Sequence, residues 1–396
     1  MKNILKIISV LSMVIMIVFF SCKKDKDDQS QNGNTGTVTG KIYAGNGSTT
    51  LPGVKIFVDV AGEIYFTTSN SSGSFSLDIP EGDQIMNIQA GNGKIFRSQI
   101  PVHVIKEQTT NIPASSCKLT QVAKLAYIPG AWDKIEDVIT SLGYSSTQIT
   151  VSDLSVLDTL DNYSGIFLNC GKSDVLDSLK YENLKQFVLG GGSLYASDYA
   201  VEYLTGDNNF KKQGRTRAPS KTNCIGEVGG FINDSTLCTD KIGYAGTVLG
   251  ANIVNSDLAL FIGANTLDID YDLDAWEVVQ QYTSPWEVLV SDTAYGPLAL
   301  KMDVVGGSSA FEKETVTDSA GTWITICHIP PGNPGNPITI TINSNALAAH
   351  LAHGDNIGPC SGGSGGKIFF TTFHNNAAGN ISSNVRKVLE YFIVNL

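Results

Sequence analysis

Tyr163-Ser164-Gly165-Ile166-Phe167-Leu168-Asn169 is the stretch on which the reading of this chain turns. It reads as an apolar strand, Gly165 to Asn169. A helical stretch from Tyr181 to Leu189, the turn Gly190-Gly191-Gly192 and a second apolar strand from Ser193 to Ala196 follow it. Strand, helix, strand in that order gives parallel pairing through a right-handed crossover. Upstream, an apolar strand from Ala123 to Ile128 runs into Pro129-Gly130 and a helical stretch with Ile135, Val138 and Ile139 on one face. A further strand is expected at Gln148 to Val151. Residues 118–396 are therefore expected to form an α/β domain with a parallel sheet. Loops at the carboxyl ends of its strands would line a crevice. Those loops hold Trp132, Asn169, Cys170, Gly171, Ser197 and Asp198.

The same strand, with Phe187-Val188, Gly190-Gly191-Gly192-Ser193-Leu194-Tyr195 and the late run Gly366-Lys367-Ile368-Phe369-Phe370-Thr371-Thr372-Phe373-His374, resembles the class I glutamine amidotransferase-like superfamily. The resemblance implies a flavodoxin-like α/β fold. It also implies a strand ending in F-H-P-E, whose histidine and acid are catalytic. Here that end reads Phe373-His374-Asn375-Asn376, so the histidine is kept and the acid has become an amide. The family nucleophile sits in a tight turn, G-x-C-x-G, where small flanks let the backbone strain. The best match is Ala196-Ser197-Asp198-Tyr199-Ala200, which puts a carboxylate in place of the thiol. Making Ser197 the nucleophile would set the bulky Tyr195 and Tyr199 at the flanks.

A carboxylate is a weak nucleophile toward amides and is already ionised at neutral pH, so glutamine hydrolysis is not expected. In one reading Asp198 caps a helix and His374 makes a strand-end hydrogen bond. In the other, Asp198 and His374 serve a hydrolase at the carboxyl edge of the sheet, with Asn376 in the pocket. Cys170 lies in the wrong strand for the family nucleophile and reads as structural. Trp276 and Trp286, which could be sugar platforms, have apolar neighbours that favour core packing.

The first residues carry Lys2 and Lys6 and then an apolar run ending Phe19-Phe20-Ser21-Cys22, followed by Lys23-Lys24-Asp25-Lys26-Asp27-Asp28. This is a secretory signal over residues 1–21. A small residue before Cys resembles the bacterial lipobox, with Phe19 departing from the usual Leu. Lipidation at Cys22 is preferred to a retained spanning helix, because the run barely reaches the roughly 20 residues that a span needs. Cleavage removes Lys2 and Lys6 and takes the side-chain charge from −11 to −13. Acyl chains then hold the protein to the outer membrane. Residues 22–36 read as a polar tether, and their charged cluster also resembles signals that send lipoproteins to the cell surface.

From Thr37, short alternating runs such as Val54-Lys55-Ile56-Phe57-Val58 and Ser74-Phe75-Ser76-Leu77 are separated by Gly, Pro, Asn and Ser, a sandwich pattern over residues 37–115. Thr39-Gly40-Lys41-Ile42, Leu51-Pro52-Gly53-Val54, Gly73-Ser74-Phe75 and Pro80-Glu81-Gly82 resemble the carboxypeptidase regulatory-like domain, a transthyretin-like all-β sandwich of about seven strands. The expected role is a spacer, and His103 within it reads as structural.

Strand Leu298 to Val305 should run on to Lys367, yet an insert over residues 306–366, bounded by Gly- and Ser-rich stretches, intervenes. It carries Cys327-His328-Ile329-Pro330-Pro331-Gly332-Asn333-Pro334, then Ala349-His350-Leu351-Ala352-His353-Gly354-Asp355, then Cys360. This resembles a short module of secreted bacterial proteins. His350 and His353 would share a helical face. With His328 and Asp355 they make a candidate pocket for zinc or another divalent transition metal. A loop closed by local hydrogen bonds is the plainer reading. In an oxidising compartment Cys327 with Cys360 and Cys224 with Cys238 are the expected disulfides, leaving Cys117 and Cys170 unassigned.

Two or three domains fit 396 residues, and 42% apolar against 16% charged residues excludes a wholly disordered chain. With 27 Lys and Arg against 38 Asp and Glu, the charge repels phosphate backbones, so nucleic acid is excluded as a partner. The expectation is an envelope-anchored, non-catalytic binding or scaffold protein. Its partners would be the membrane, through the anchor, and a glycan, peptide or protein ligand.

Overall fold

Gly165–Leu168 forms a strand in which every residue is buried. The computed structural model describes residues 34–171, 176–206, 230–232, 236–304, 317–318, 321–328, 338–343, 346–352, 354–357, 365–375 and 383–396. Seven strands come first: β1 (Thr35–Lys41), β2 (Lys55–Val60), β3 (Glu63–Thr68), β4 (Ser74–Pro80), β5 (Gly82–Gln89), β6 (Arg97–Val104) and β7 (Thr109–Asn111). They form two sheets, ordered β4-β1-β7 and β3-β2-β5-β6. Apolar side chains of both, among them Val38, Ile56, Leu77 and Ile88, meet in one core. Alternation along β4 and β6 puts one side of each strand inside.

The larger unit begins with β8 (Leu125–Ile128), α1 (Ile135–Ser141), β9 (Ser146–Gln148), α2 (Leu157–Leu160), β10 (Gly165–Leu168), α3 (Ser178–Leu189), β11 (Ser193–Ser197) and α4 (Glu202–Thr205). It continues with β12 (Leu237–Lys241), β13 (Gly246–Ile253), α5 (Ser256–Ile262), β14 (Thr266–Tyr271), β15 (Glu277–Tyr282), β16 (Trp286–Asp292) and β17 (Gly296–Asp303). In the insert lie β18 (Thr317–Asp318), β19 (Gly321–His328), β20 (Ile338–Asn343), α6 (Leu347–Ala352) and β21 (Asn356–Ile357). β22 (Lys367–Thr371) and α7 (Ser383–Asn395) close the chain.

Nine of these strands form one sheet, ordered β14-β13-β16-β17-β22-β11-β10-β8-β9. The sheet is mixed, which corrects the expectation of a parallel one. β22, β11, β10, β8 and β9 are parallel, whereas β17, β16, β13 and β14 pair antiparallel. β16 and β17 are joined by too short a connection for a crossover, so they can only fold back on each other. The expected strand at Gln148 to Val151 falls earlier, at Ser146–Gln148, and a 3-10 turn occupies Val151–Ser155.

Period-two alternation divides the parallel strands between two cores. Phe167, Tyr195 and Phe369 face α1, α5 and α7, and that cluster is continuous with the core of the first seven strands. Ile166, Leu168, Leu194, Ala196, Ile368 and Phe370 face the opposite way, toward α3. α3 is capped by Asp177, whose side chain accepts from the Lys180 N–H at 3.0 Å, and it buries Tyr181, Leu184, Phe187 and Val188. The tight turn after it needs glycine, because a Cβ on Gly192 would stand 2.3 Å from the Phe187 ring. β17 and β22, which flank the insert, are hydrogen-bonded neighbours with Ala299 opposite Thr371. β18, β19, β20 and β21 form their own sheet, and α6 packs on β2 and β3.

Phe392 on α7 is 1% exposed and stacks on Phe369 with ring centroids 4.6 Å apart. Phe392→Ala is expected to cost about 3 to 5 kcal/mol through lost burial and a cavity, read as a lowered urea midpoint with the native circular dichroism spectrum retained below it.

Candidate functional site

The carboxyl ends of β8, β10, β11 and β22 converge, and each delivers polar side chains to the same place. The loop after β8 supplies Trp132 and Asp133, that after β10 supplies Asn169 and Cys170, the turn after β11 supplies Ser197 and Asp198, and the segment after β22 supplies His374. The first two loops interlock closely. Gly171 has φ +98°, and a Cβ on it would stand 2.6 Å from the Ala131 nitrogen.

Asp198 has φ +45°, one of three non-glycine residues with positive φ among the described residues. Short polar residues tolerate this left-handed conformation best. Ala196 and Ala200, both fully buried, leave room for the bend. The strained turn anticipated for a nucleophile is thus built, with a carboxylate at its tip. Asp198 does not cap a helix, which corrects one reading of it: Ser197 holds the cap position, with no side-chain capping bond. Asp198 Oδ1 instead accepts the Glu277 N–H at 2.7 Å, and Oδ2 accepts the Cys170 thiol at 3.5 Å. His374 Nδ1 stands 3.8 Å from Asp198 Oδ2, and its Nε2 is 3.3 Å from Asp272 Oδ1.

The Ser197 hydroxyl donates to Asp133 and accepts the Cys170 N–H at 3.0 Å. Asp133, 1% exposed, also accepts the Asn375 N–H at 3.1 Å. Asn169 donates to Glu136 at 2.8 Å, tying its strand end to α1. Asp133, Asp272 and Glu277 are members of the site that sequence reasoning missed. The signal for Asp133 was a carboxylate shortly past the end of β8, beside the Trp132 already singled out. Asp272 follows β14 and Glu277 opens β15, which pairs with β12 outside the nine-stranded sheet, and neither carries a local motif.

Burial drives the electrostatics. It raises the Asp133 carboxyl to about 6, the opposing pull of His374 and Ser197 being smaller. Asp198 rises to about 7 despite the Glu277 N–H and His374, and Glu277 to about 8 despite Lys241. Burial alone would lower His374, but Asp272, Asp133 and Asp198 outweigh it and hold the imidazole above its ordinary value. Burial and Asp198 push the Cys170 thiol far up, so it remains a protonated donor. By donor type and spacing, Cys170, Asp198 and His374 form one group able to hold a metal, their candidate ligand atoms lying within 4.8 Å of one another. Both oxygens of Asp198 are already bonded, whereas the buried ring nitrogens of His374 make ion-pair approaches to Asp198 and Asp272 without a hydrogen bond.

The cluster is covered from within the chain. The segment between β14 and β15 brings Asp272 to His374 and the Glu277 N–H to Asp198, and the Tyr199 hydroxyl donates to Ala275 O at 2.5 Å. Lys241 sits 4.4 Å above the Tyr199 ring and pairs with Glu202 at 2.7 Å. Asp198 is 0% exposed, whereas Trp132 remains 42% exposed and meets Tyr199 edge-on. Trp276 and Trp286 are buried in the core, as their apolar neighbours suggested.

Elsewhere, His328, His350 and Asp355 are brought together. Cys238 is disulfide-bonded. Cys117 and Cys170 are free and buried. Cys327 lies in β19 opposite Thr339. Cys22, Cys224, Cys360, His353 and Asn376 lie outside the described residues. His103 pairs with Asp83 at 2.6 Å on the surface.

No family model matches the chain, and no curated protein matches it. Among solved structures it is similar to a GMP synthase subunit from Thermoplasma acidophilum, at 8% identity and TM-score 0.36 over 69% of this chain and 94% of that one. It is also similar to a ThuA-like protein from Bacteroides uniformis, at 11% identity and TM-score 0.31 over 69% of this chain and 91% of that one. At these scores the likeness assigns no activity.

The raised carboxyls fix a sign for stability. Asp133, Asp198 and Glu277 bind a proton more tightly folded than unfolded, and so does His374. The contribution of the three carboxyls is complete below the unfolded carboxyl values and is lost as pH rises through about 6 to 8, and that of His374 is lost above its ordinary value. Urea unfolding is expected to show stability falling by several kcal/mol from about pH 5 to 8. Asp198→Asn, which suits the left-handed turn, should flatten that fall; an unchanged slope would contradict the assignment.

Proposed function

We propose that this chain is a lipoprotein held to the outer membrane through Cys22, and that it acts as a non-catalytic binding or scaffold protein. In this reading the amidotransferase-like bend is kept as architecture and has no turnover. The observation that carries it is the 2.7 Å bond from the Glu277 N–H to Asp198 Oδ1 on a carboxylate that is 0% exposed. The place where a substrate would have to meet the bend is filled by the chain's own segment between β14 and β15. A carboxylate so enclosed has no path to an amide carbonyl, and burial favours its protonated, non-nucleophilic form.

One observation favours the alternative, a hydrolase using the pair, and that is the 3.8 Å approach of His374 to Asp198. The pair ranks second because a general base must reach the proton of a substrate or water, and Asp198 faces the Glu277 backbone while His374 is buried against the Asp272 side chain. Recognition then falls to the outer rim. Trp132, half exposed and braced by Tyr199, offers a ring face to a sugar or an apolar side chain of a glycan, peptide or protein ligand. The first seven strands serve as the spacer between this rim and the membrane.

Two measurements test the reading. A panel of ester, amide and glycoside substrates should show no turnover with the full chain or with Asp198→Ala; turnover that Asp198→Ala abolishes would establish the hydrolase instead. In cell fractionation, Cys22→Ser should shift the protein out of the lipid-modified membrane pool, and unchanged acylation in that variant would refute the anchor.

A further inference from the structure

His328 ends β19, His350 lies in α6, and Asp355 follows the turn after α6, so three separate stretches of the insert deliver one ligand-type side chain each. Asp355 Oδ2 lies 2.8 Å from His328 Nδ1 and 2.6 Å from His350 Nδ1. The two rings stand nearly perpendicular, at 86°, with centroids 5.5 Å apart. The Asp355 side chain is 0% exposed, and each imidazole is 21% exposed, so the cluster has a closed floor and an open rim. The turn that aims Asp355 is tightly set. Its nitrogen donates to His350 O at 3.0 Å, and Gly354 has φ +104° with a Cβ position 2.7 Å from Asn92 O.

We propose that His328, His350 and Asp355 form a binding site for a divalent transition-metal ion of the zinc type. Two imidazoles and one carboxylate are the nitrogen and oxygen donors that such an ion selects. With both rings neutral the site carries one negative charge, which a divalent ion reverses at a buried carboxylate. Donor atoms about 2.0 to 2.1 Å from a tetrahedral ion stand roughly 3.3 Å from one another. Entry therefore requires the present contacts to open by about half an ångström, which rings at a partly exposed rim can supply. Because α6 packs on β2 and β3, the ion would tie the end of β19 to the helix that rests on the first seven strands. This site is separate from the bend at Asp198 and stands or falls independently of the function proposed above.

The test is zinc titration by calorimetry of the full chain, purified without a histidine tag and stripped with chelator. One equivalent is expected, bound at micromolar concentration or tighter, and cobalt loading should give visible absorption bands of a low-symmetry nitrogen and oxygen site. His350→Ala and Asp355→Asn should each weaken binding at least tenfold, while His103→Ala should leave it unchanged. Absence of saturable binding in the intact chain overturns the proposal without recourse to any variant. So does equal affinity in a folded Asp355→Asn protein. If His350→Ala does not fold, the wild-type titration and the cobalt spectrum still decide the matter.

Discussion

A carboxylate cut off from water at a left-handed turn has to be bonded or neutralised by its own protein, and Asp198 meets that demand from three directions. The Glu277 N–H reaches one oxygen, the Cys170 thiol reaches the other, and His374 stands close enough to favour its charge. Each donor comes from a different part of the fold. Cys170 follows β10 and His374 follows β22 in the nine-stranded sheet, whereas Glu277 opens β15, which pairs with β12 in a separate two-stranded sheet. Satisfying one side chain therefore ties that small sheet to the parallel strands of the large one. The loops around it have little freedom left, as the packing of Gly171 against Ala131 shows.

The acids of this region repel one another, and the fold answers by spacing positive groups among them. Lys241 lies between Glu202 and Glu277, and His374 lies among Asp133, Asp198 and Asp272. Neither arrangement neutralises all of the carboxylates, and so burial raises three of their titrations together. Protons complete the compensation that side chains leave unfinished. The insert meets a similar problem on a smaller scale, with two imidazoles gathered on one buried acid. Its placement between two hydrogen-bonded strands lets it grow without disturbing the sheet, since closing a longer loop costs little more than closing a short one.

Much of the parallel half was legible because its signals are local. Ile135, Val138 and Ile139 lie on one helical face and are buried, and the run from Gly165 is a strand within a residue of its expected end. The bend at Asp198 was legible from Ala196 and Ala200 for the same reason. What closes the bend was not legible. Asp272 and Glu277 lie more than seventy residues beyond it, and only the antiparallel strands bring them back. Asp198 was open to a capping role because short polar residues after a strand usually take one, yet tertiary donors claimed its oxygens. In the insert His328, His350 and Asp355 were already expected in one pocket, and the pairing of β19 with β20 and β21 is what carries His328 to it.

The surroundings of the bend oppose thiol chemistry whatever residue stands at its tip, and Cys170 shows why. It is a thiol already placed in this environment, beside Asp198 and near His374, and burial with a neighbouring carboxylate holds it protonated. A reactive cysteine needs the reverse, an electropositive and partly open surrounding that favours the thiolate. A cysteine at position 198 would meet the same cover from Ala275 to Glu277 and the same burial. The identity of the side chain at the bend and access to it are thus two separate physical constraints, and changing the first would leave the second in place.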